Sequence, residues 1–390
     1  MEFPDFAVAC GEEASDPLVL HEGRVVRVDE FAASSHLARR DADLADVAGL
    51  GVRVWRYGMP WRLAEPAPRE YDWTLWDRAF AACDRAGLVP IVDLCHFGLP
   101  DHYPGFADPA WVEGFVRYVD TFLARYSEPR WFTPVNEPFI TALMSARLGV
   151  WNDRRATLED FALALAHVTL ANLEAIARVR SGRDGWWIGA EGFDCQVAYG
   201  AAHAEAAAAR RALVHAVWDL HFGLPLRGEI VEAYERVPAP VRERIAALAL
   251  ERGAEHLVAG HDFYPVSVTV HGGDGAPLSI AERVDAYETE ARAWHARYGT
   301  SFWVAETSNL GLPLEHQEEW LDALVDRLDA MRADSLPVRG LCWYSRGDQY
   351  DWDTALTRPV GQVTHVGLFD AERRVRPVAD AYARLARARG

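Results

Sequence analysis

Val52-Arg53-Val54-Trp55-Arg56-Tyr57 is a run of β-branched and aromatic residues, and Pro90-Ile91-Val92-Asp93-Leu94-Cys95 is another. Between them, residues 75–86 carry apolar side chains at the spacing of one helix face, and Ala86-Gly87 closes that helix. Strand, helix, strand in this order predicts a parallel pair, because a tight turn joins only antiparallel neighbours. Outward from this unit the pattern continues. Further apolar runs lie at 6–10, 131–136, 186–191, 256–264, 301–306 and 340–344, eight in all. Helical spacing fills 109–126, 158–179, 201–220, 239–252, 279–298 and 314–333. Eight alternating units in somewhat over ~250 residues predict an α/β fold, the (β/α)8 TIM barrel. We expect a single domain over 1–390, with loop insertions at the C-terminal face of the strands. A doubly wound nucleotide-binding sheet is disfavoured, since Gly49-Leu50-Gly51 precedes a strand instead of opening a helix.

Half of the 390 residues are hydrophobic and a quarter are charged, which suits a sizeable core. Acids outnumber bases 58 to 40, for a net charge of −18. Such a surface repels phosphate backbones and anionic lipid, so neither nucleic acid nor membrane is an expected partner. Every basic residue is Arg, which excludes a P-loop lysine and any Schiff-base lysine. The five cysteines are scattered without a C-x-x-C, so neither a disulfide framework nor a zinc site is indicated. The start, Met-Glu-Phe-Pro-Asp, lacks an apolar signal region, and no uninterrupted apolar run reaches about 18 residues. A soluble cytoplasmic protein is the expectation.

In a parallel barrel the chemistry sits at the C-terminal ends of the strands. Those ends carry Arg56 and Tyr57, His96, Asn136 and Glu137, Glu191, Asp262 and Tyr264, Glu306, and Trp343. Glu137 and Glu306 close the fourth and seventh runs and should face one another across the barrel mouth. Glycoside cleavage needs such a pair: one carboxylic acid protonates the departing oxygen, and one carboxylate meets the developing positive charge at the anomeric carbon. The first run offers no His-x-His ligand pair, so no metal and no cofactor are expected. Trp61 and Trp151 are candidates for the rim of a binding site, whereas Trp73, Trp76, Trp111 and Trp218 read as core. Glu191 reads as structural, and Asp93 as a buried, hydrogen-bonded carboxylate.

The segment Phe132-Thr133-Pro134-Val135-Asn136-Glu137-Pro138 resembles the Asn-Glu-Pro acid/base motif of glycoside hydrolase family 1 and its wider clan of retaining β-glycosidases. In chain order, Val54–Tyr57, Asp93–Pro100, Gly260–Tyr264, Val304–Thr307, Trp343 with 348–352, and 365–368 are similar to further signatures of that family. The resemblance implies that Glu137 is the general acid/base and Glu306 the nucleophile, with Arg56 and Tyr264 orienting the nucleophile. It implies sugar-binding roles for His96, Asn136, Trp343, Asp351 and Trp352, and a small carbohydrate or glycoside as substrate. The implied activity is a retaining β-glycosidase working through a covalent glycosyl-enzyme. The same residues would serve a transglycosylase, and a catalytically silent carbohydrate-binding barrel is the non-enzymatic alternative. Asp262 stands where the family has Asn, Asp351 where it has Glu, and one extra residue separates Asp351 from Trp343. Glu13 falls in the region of the family's glycone-binding Gln. These departures imply an altered sugar.

Overall fold

Strands separated by helices pair in parallel, and a parallel sheet with all its helices on one face can close on itself. The computed structural model describes residues 1–389, the side chains at 182 and 183 excepted. Its strands are β1 (Ala7–Gly11), β2 (Val54–Gly58), β3 (Val89–Asp93), β4 (Trp131–Thr133), β5 (Trp186–Ile188), β6 (Leu257–Asp262), β7 (Ser301–Thr307) and β8 (Val338–Trp343). Each pairs in parallel with its sequence neighbour, and β1 pairs with both β2 and β8, so the barrel is closed. All eight lie within or across the runs read from the sequence.

Side chains alternate between two apolar layers. Ala7, Ala9, Val54, Ile91, Trp131, Ile188, Val258, Trp303, Ala305, Cys342 and Tyr344 fill the barrel interior. Phe3 packs edge-on against Trp131 and Trp303 among them, at 5.2 and 5.7 Å between ring centroids. Trp55, Val92, Phe132, Trp187, Val304 and Trp343 face outward to the helices. This parity decides which strand-end residues reach the mouth.

Three differences from the sequence reading have physical causes. β4 ends at Thr133 instead of Asn136 because Pro134 has no N–H to donate to the ladder. Beyond it, single bonds take over: Asn136 N donates to Cys95 O at 2.9 Å and Glu137 N to Ala190 O at 3.0 Å. The stretch 201–220 forms two helices, Ala201–Val214 and Ala216–His221, instead of one. The long helix Leu158–Arg183 contains a window apolar enough to cross a membrane by length and composition, yet 78% of that window is buried. It packs against helices Ala110–Arg125 and Ala239–Leu248, so its all-round apolarity reflects burial within the protein.

Small two-stranded sheets join segments that follow the C-terminal ends of strands. Leu18–His21 pairs with Arg24–Arg27, Cys195–Ala198 with Val268–His271, and Gln349–Tyr350 with Val363–Thr364.

Where β5 and β6 run closest, a Cβ on Gly260 would lie 1.8 Å from the Gly189 carbonyl oxygen. Backbone cannot yield as a side chain can, so Gly260→Ala should destabilise the fold by about 3 kcal/mol or more. Gly49 closes its helix with open space around it, and Gly49→Ala should stabilise by about 0.5–1 kcal/mol. Urea unfolding of the two variants checks both signs.

Candidate active site

Arg56 shares the inward parity of Val54 and is 1% exposed. Its Nη1 donates to Glu306 Oε1, while Nη2 reaches Asp93 Oδ2 at 2.8 Å and Asn136 Oδ1 at 2.5 Å. One guanidinium thus ties together β2, the end of β3, the loop after β4, and β7. Burial works against its charge, but the Asp93 and Glu306 carboxylates overcome that and hold it firmly protonated.

Strict alternation after Trp303 and Ala305 would turn Glu306 away from the interior. A register shift between Val304 and Glu306 against β6 inserts one residue and returns the carboxylate to the mouth. There Tyr264 Oη donates to Glu306 Oε2 at 2.8 Å, so each carboxylate oxygen has a donor. Burial pushes this carboxyl up from its ordinary value, and Arg56, His96 and the Tyr264 hydroxyl oppose the rise.

Glu137 adopts the left-handed conformation, φ 38° and ψ 66°, at the start of helix Pro138–Ala142. Its N–H is held by Ala190 O and its own carbonyl accepts from Thr141 N at 2.8 Å. Gly192 leaves room for it: a Cβ there would sit 3.3 Å from Glu137 Oε1 and 2.7 Å from Ile140. Glu191 is buried and accepts from Phe139 N at 3.0 Å and Gly192 N at 3.0 Å, gripping the helix start beside Glu137. Burial, reinforced by the nearby Glu306 charge, pushes the Glu137 carboxyl up to about 8. The two glutamates are equally enclosed, but only Glu306 is clamped by a guanidinium and a phenol. The proton therefore belongs on Glu137 and the charge on Glu306.

His96 lies against this pair. Nδ1 contacts Asp93 Oδ2 at 2.7 Å and Nε2 lies 3.3 Å from Glu13 Oε1. Burial opposes its protonation, but the two carboxylates prevail and lift it to about 10. Asn136 Nδ2 is 3.2 Å from the same Nε2. With the imidazolium donating to Glu13, the Asn136 amide N–H groups remain free for a ligand hydroxyl. Glu13 Oε2 also accepts from Gln349 Nε2 at 3.2 Å, so the region after β1 does reach the site.

The remaining sequence-derived residues divide. Trp343 is not at the mouth: it faces outward, donates from Nε1 to Val366 O at 3.0 Å, and packs on Tyr382. Alternation puts Tyr344 inside instead, its ring parallel to His96 at 6.0 Å and beneath the Arg56 guanidinium at 5.4 Å. Moving the aromatic position by one also removes the extra residue before Asp351. Asp351 accepts Gly361 N at 2.9 Å and Gln362 N at 2.8 Å, so both its oxygens hold the loop that carries Trp352. Trp352 is partly exposed with Nε1 unpartnered, near Phe97 and Trp151. Trp151 is buried and donates to Ala355 O at 3.0 Å, and Trp61 is buried in a stack with Tyr118, so neither forms the rim. Glu12, His36 and Asp43 have metal-ligand spacing, but Arg346 and Arg373 already neutralise Asp43 and Tyr57 holds His36.

This geometry meets a matching sequence signature, because the family model described as glycosyl hydrolase family 1 matches residues 14–238. The chain belongs to glycosyl hydrolase family 1. Its similarity to a 6-phospho-beta-glucosidase of Clostridium longisporum is 27% identity over 152 residues, covering 35% of this chain and 32% of that protein. With 6-phospho-beta-glucosidase AscB of Escherichia coli (strain K12) it is 30% over 109 residues, covering 25% and 23%. The matched stretches thus span a third or less of these relatives. In structure, this family 1 chain superposes on a beta-glucosidase from Exiguobacterium marinum with a TM-score of 0.80 at 14% identity, covering 100% and 99% of the two chains. A Thermotoga maritima beta-glucosidase in complex with glucoimidazole gives the same TM-score, identity and coverage. The fold is shared end to end.

Glu191→Ala would leave the Phe139 and Gly192 N–H groups buried without an acceptor. We expect a loss of about 1–3 kcal/mol in urea unfolding, with a displaced Glu137. Glu191→Gln, which keeps an acceptor oxygen, should lose less.

Proposed function

We propose that this family 1 protein is a retaining β-glycosidase, with Glu306 as nucleophile and Glu137 as general acid/base. The observation that carries the reading is the unequal treatment of two enclosed carboxyls at one barrel mouth. Glu306 is bound at both oxygens by Arg56 and Tyr264. Glu137 has no such clamp and holds its proton up to about 8. A guanidinium-bound carboxylate is a weak base toward water yet is well oriented for attack on carbon, which favours retention over inversion.

The steps follow from these positions. Glu137 gives its proton to the glycosidic oxygen as that C–O bond breaks, and a Glu306 oxygen bonds to the anomeric carbon. Glu137, now a carboxylate, takes a proton from water as the water oxygen attacks the same carbon and Glu306 departs. Asn136 is placed to bond a hydroxyl beside that carbon. Tyr344 and Trp352 offer aromatic surface, and His96, Glu13 and Gln349 offer polar atoms for the outer hydroxyls. No metal or cofactor enters these steps.

The charge of the site selects the sugar class. Arg56 and His96, the cations that contact Glu13, Asp93 and Glu306, are both committed to these carboxylates. Neither cation is free for a phosphate or a uronate, which favours an uncharged glycoside as substrate.

Glu306→Ala should abolish turnover of nitrophenyl β-glycosides. Glu137→Ala should spare activated aryl glycosides, whose leaving groups need little protonation, far more than alkyl glycosides. Equal losses on both classes would remove Glu137 from its role. The wild-type kcat/KM should fall as pH rises through about 8, where Glu137 loses its proton. A nitrophenyl β-glucoside should exceed its 6-phosphate in kcat/KM by at least about tenfold, the effect of one unpaired charge on binding.

A further inference from the structure

Asp262 is an enclosed acid that the steps above leave unused. It ends β6, is register-paired with Glu306 on β7, and is bridged to Gly192 on its other side. Its side chain is 1% exposed, and neither carboxyl oxygen has an N–H or O–H donor among the described residues. Gly192, bridged to Asp262, would carry a Cβ 3.3 Å from Glu137 Oε1, so the two carboxyls share one wall of the mouth, and their side chains interact there. The charged and titratable groups facing it are Glu306 from β7, Glu137 from the loop after β4, Glu191 from the loop after β5, Arg56 from β2 and Tyr264 from its own segment. Arg56 opposes the rise through its charge but donates no hydrogen bond to Asp262; its bonds go to Glu306, Asp93 and Asn136.

Two enclosed carboxylates in contact, with no donor between them, cannot both carry charge. A proton on one turns the contact into a hydrogen bond. Burial first, then the Glu306 and Glu137 charges, push the Asp262 carboxyl well above its ordinary value. An Asn here, as in the family pattern, would always offer an N–H. Asp offers an O–H only while protonated.

We propose that Asp262 is a proton-bearing positioning residue that acts through Glu137, donating its O–H to the carboxylate formed when the leaving group departs. The inference rests on the assignment of Glu137 as acid/base. At rest both members of the pair are protonated and Glu306 is the anion. When Glu137 protonates the leaving oxygen, Glu306 becomes a neutral glycosyl ester, and one negative charge appears on the Glu137–Asp262 pair, shared through the remaining proton. Water then returns a proton to Glu137 and frees Glu306 as the anion. The carboxylate charge around Arg56 stays constant through both steps.

The pH dependence of kcat/KM on an aryl glycoside tests this by its sign. Asp262→Ala removes the donor that stabilises ionised Glu137, so the alkaline limb should move upward by about one pH unit. Asp262→Asn restores a donor and should return the limb to near its wild-type position. If Asp262 were an anion in the working enzyme, both variants would relieve repulsion and move the limb downward. A downward movement, or no movement in Asp262→Ala, overturns the proposal. Infrared spectroscopy of the unliganded protein at neutral pH gives a readout independent of turnover. Glu137 and other enclosed carboxyls contribute to the spectra of both proteins, so the readout is the difference spectrum: a protonated-carboxyl band lost on going from the wild type to Asp262→Asn supports the proposal, and no loss overturns it. Failure of the wild type to cleave any glycoside would instead strike the assignment of function and leave the infrared result standing.

Discussion

A guanidinium taken wholly out of water is the constraint on which the mouth of this barrel depends. Stripped of hydration, Arg56 is tolerable only if acceptors surround it, and removing either carboxylate partner leaves charge uncompensated at a cost of several kcal/mol. The acceptors come from separate strand ends: Asp93, Asn136 and Glu306. No two of these are close in sequence, so satisfying Arg56 fixes the relative positions of β2, β3, β7 and the loop after β4. The same contacts orient Glu306 and, through Asp93, seat His96. Stability and site geometry here are one interaction.

Around that cation the protein distributes protons through unequal neighbours. Burial raises the Glu137, Asp262 and Glu306 carboxyls alike, so burial alone distinguishes none of the three. The distinction comes from donors: Glu306 has two, while Glu137 and Asp262 have chiefly each other. Adding an acid at 262 therefore alters the proton inventory of the mouth without altering its shape.

Much of this was legible before the fold was known. The alternation of apolar runs and helical stretches located all eight strands, and the strand-end rule picked out Arg56, His96, Asn136, Glu137, Tyr264 and Glu306, which the structure brings together. What escaped was parity. Trp343 and Tyr344 are adjacent aromatics at a strand end, and composition gives no means of choosing which points inward. The insertion of one residue at Glu306 is equally silent in sequence, since a bulge leaves no residue-type signature there. Asp351 has a sugar-binding role only through the family resemblance; each of its oxygens accepts a backbone N–H, from Gly361 and Gln362, partners that no side-chain motif announces. Glu191 read as structural, and it is structural in a particular way, bound to the helix start that carries Glu137.

The sequence by itself determined the barrel, the order of its strands, and which chemical groups stand at their ends, because periodicity and local breaks are properties of neighbouring residues. Only the tertiary structure decided which side chains face the interior, which carboxyls meet, and where the protons rest. Those depend on distances between residues far apart in the chain, 250 positions in the case of Arg56 and Glu306. They also depend on an enclosure that exists only once the eight strands have closed, when water no longer screens one carboxyl from the next.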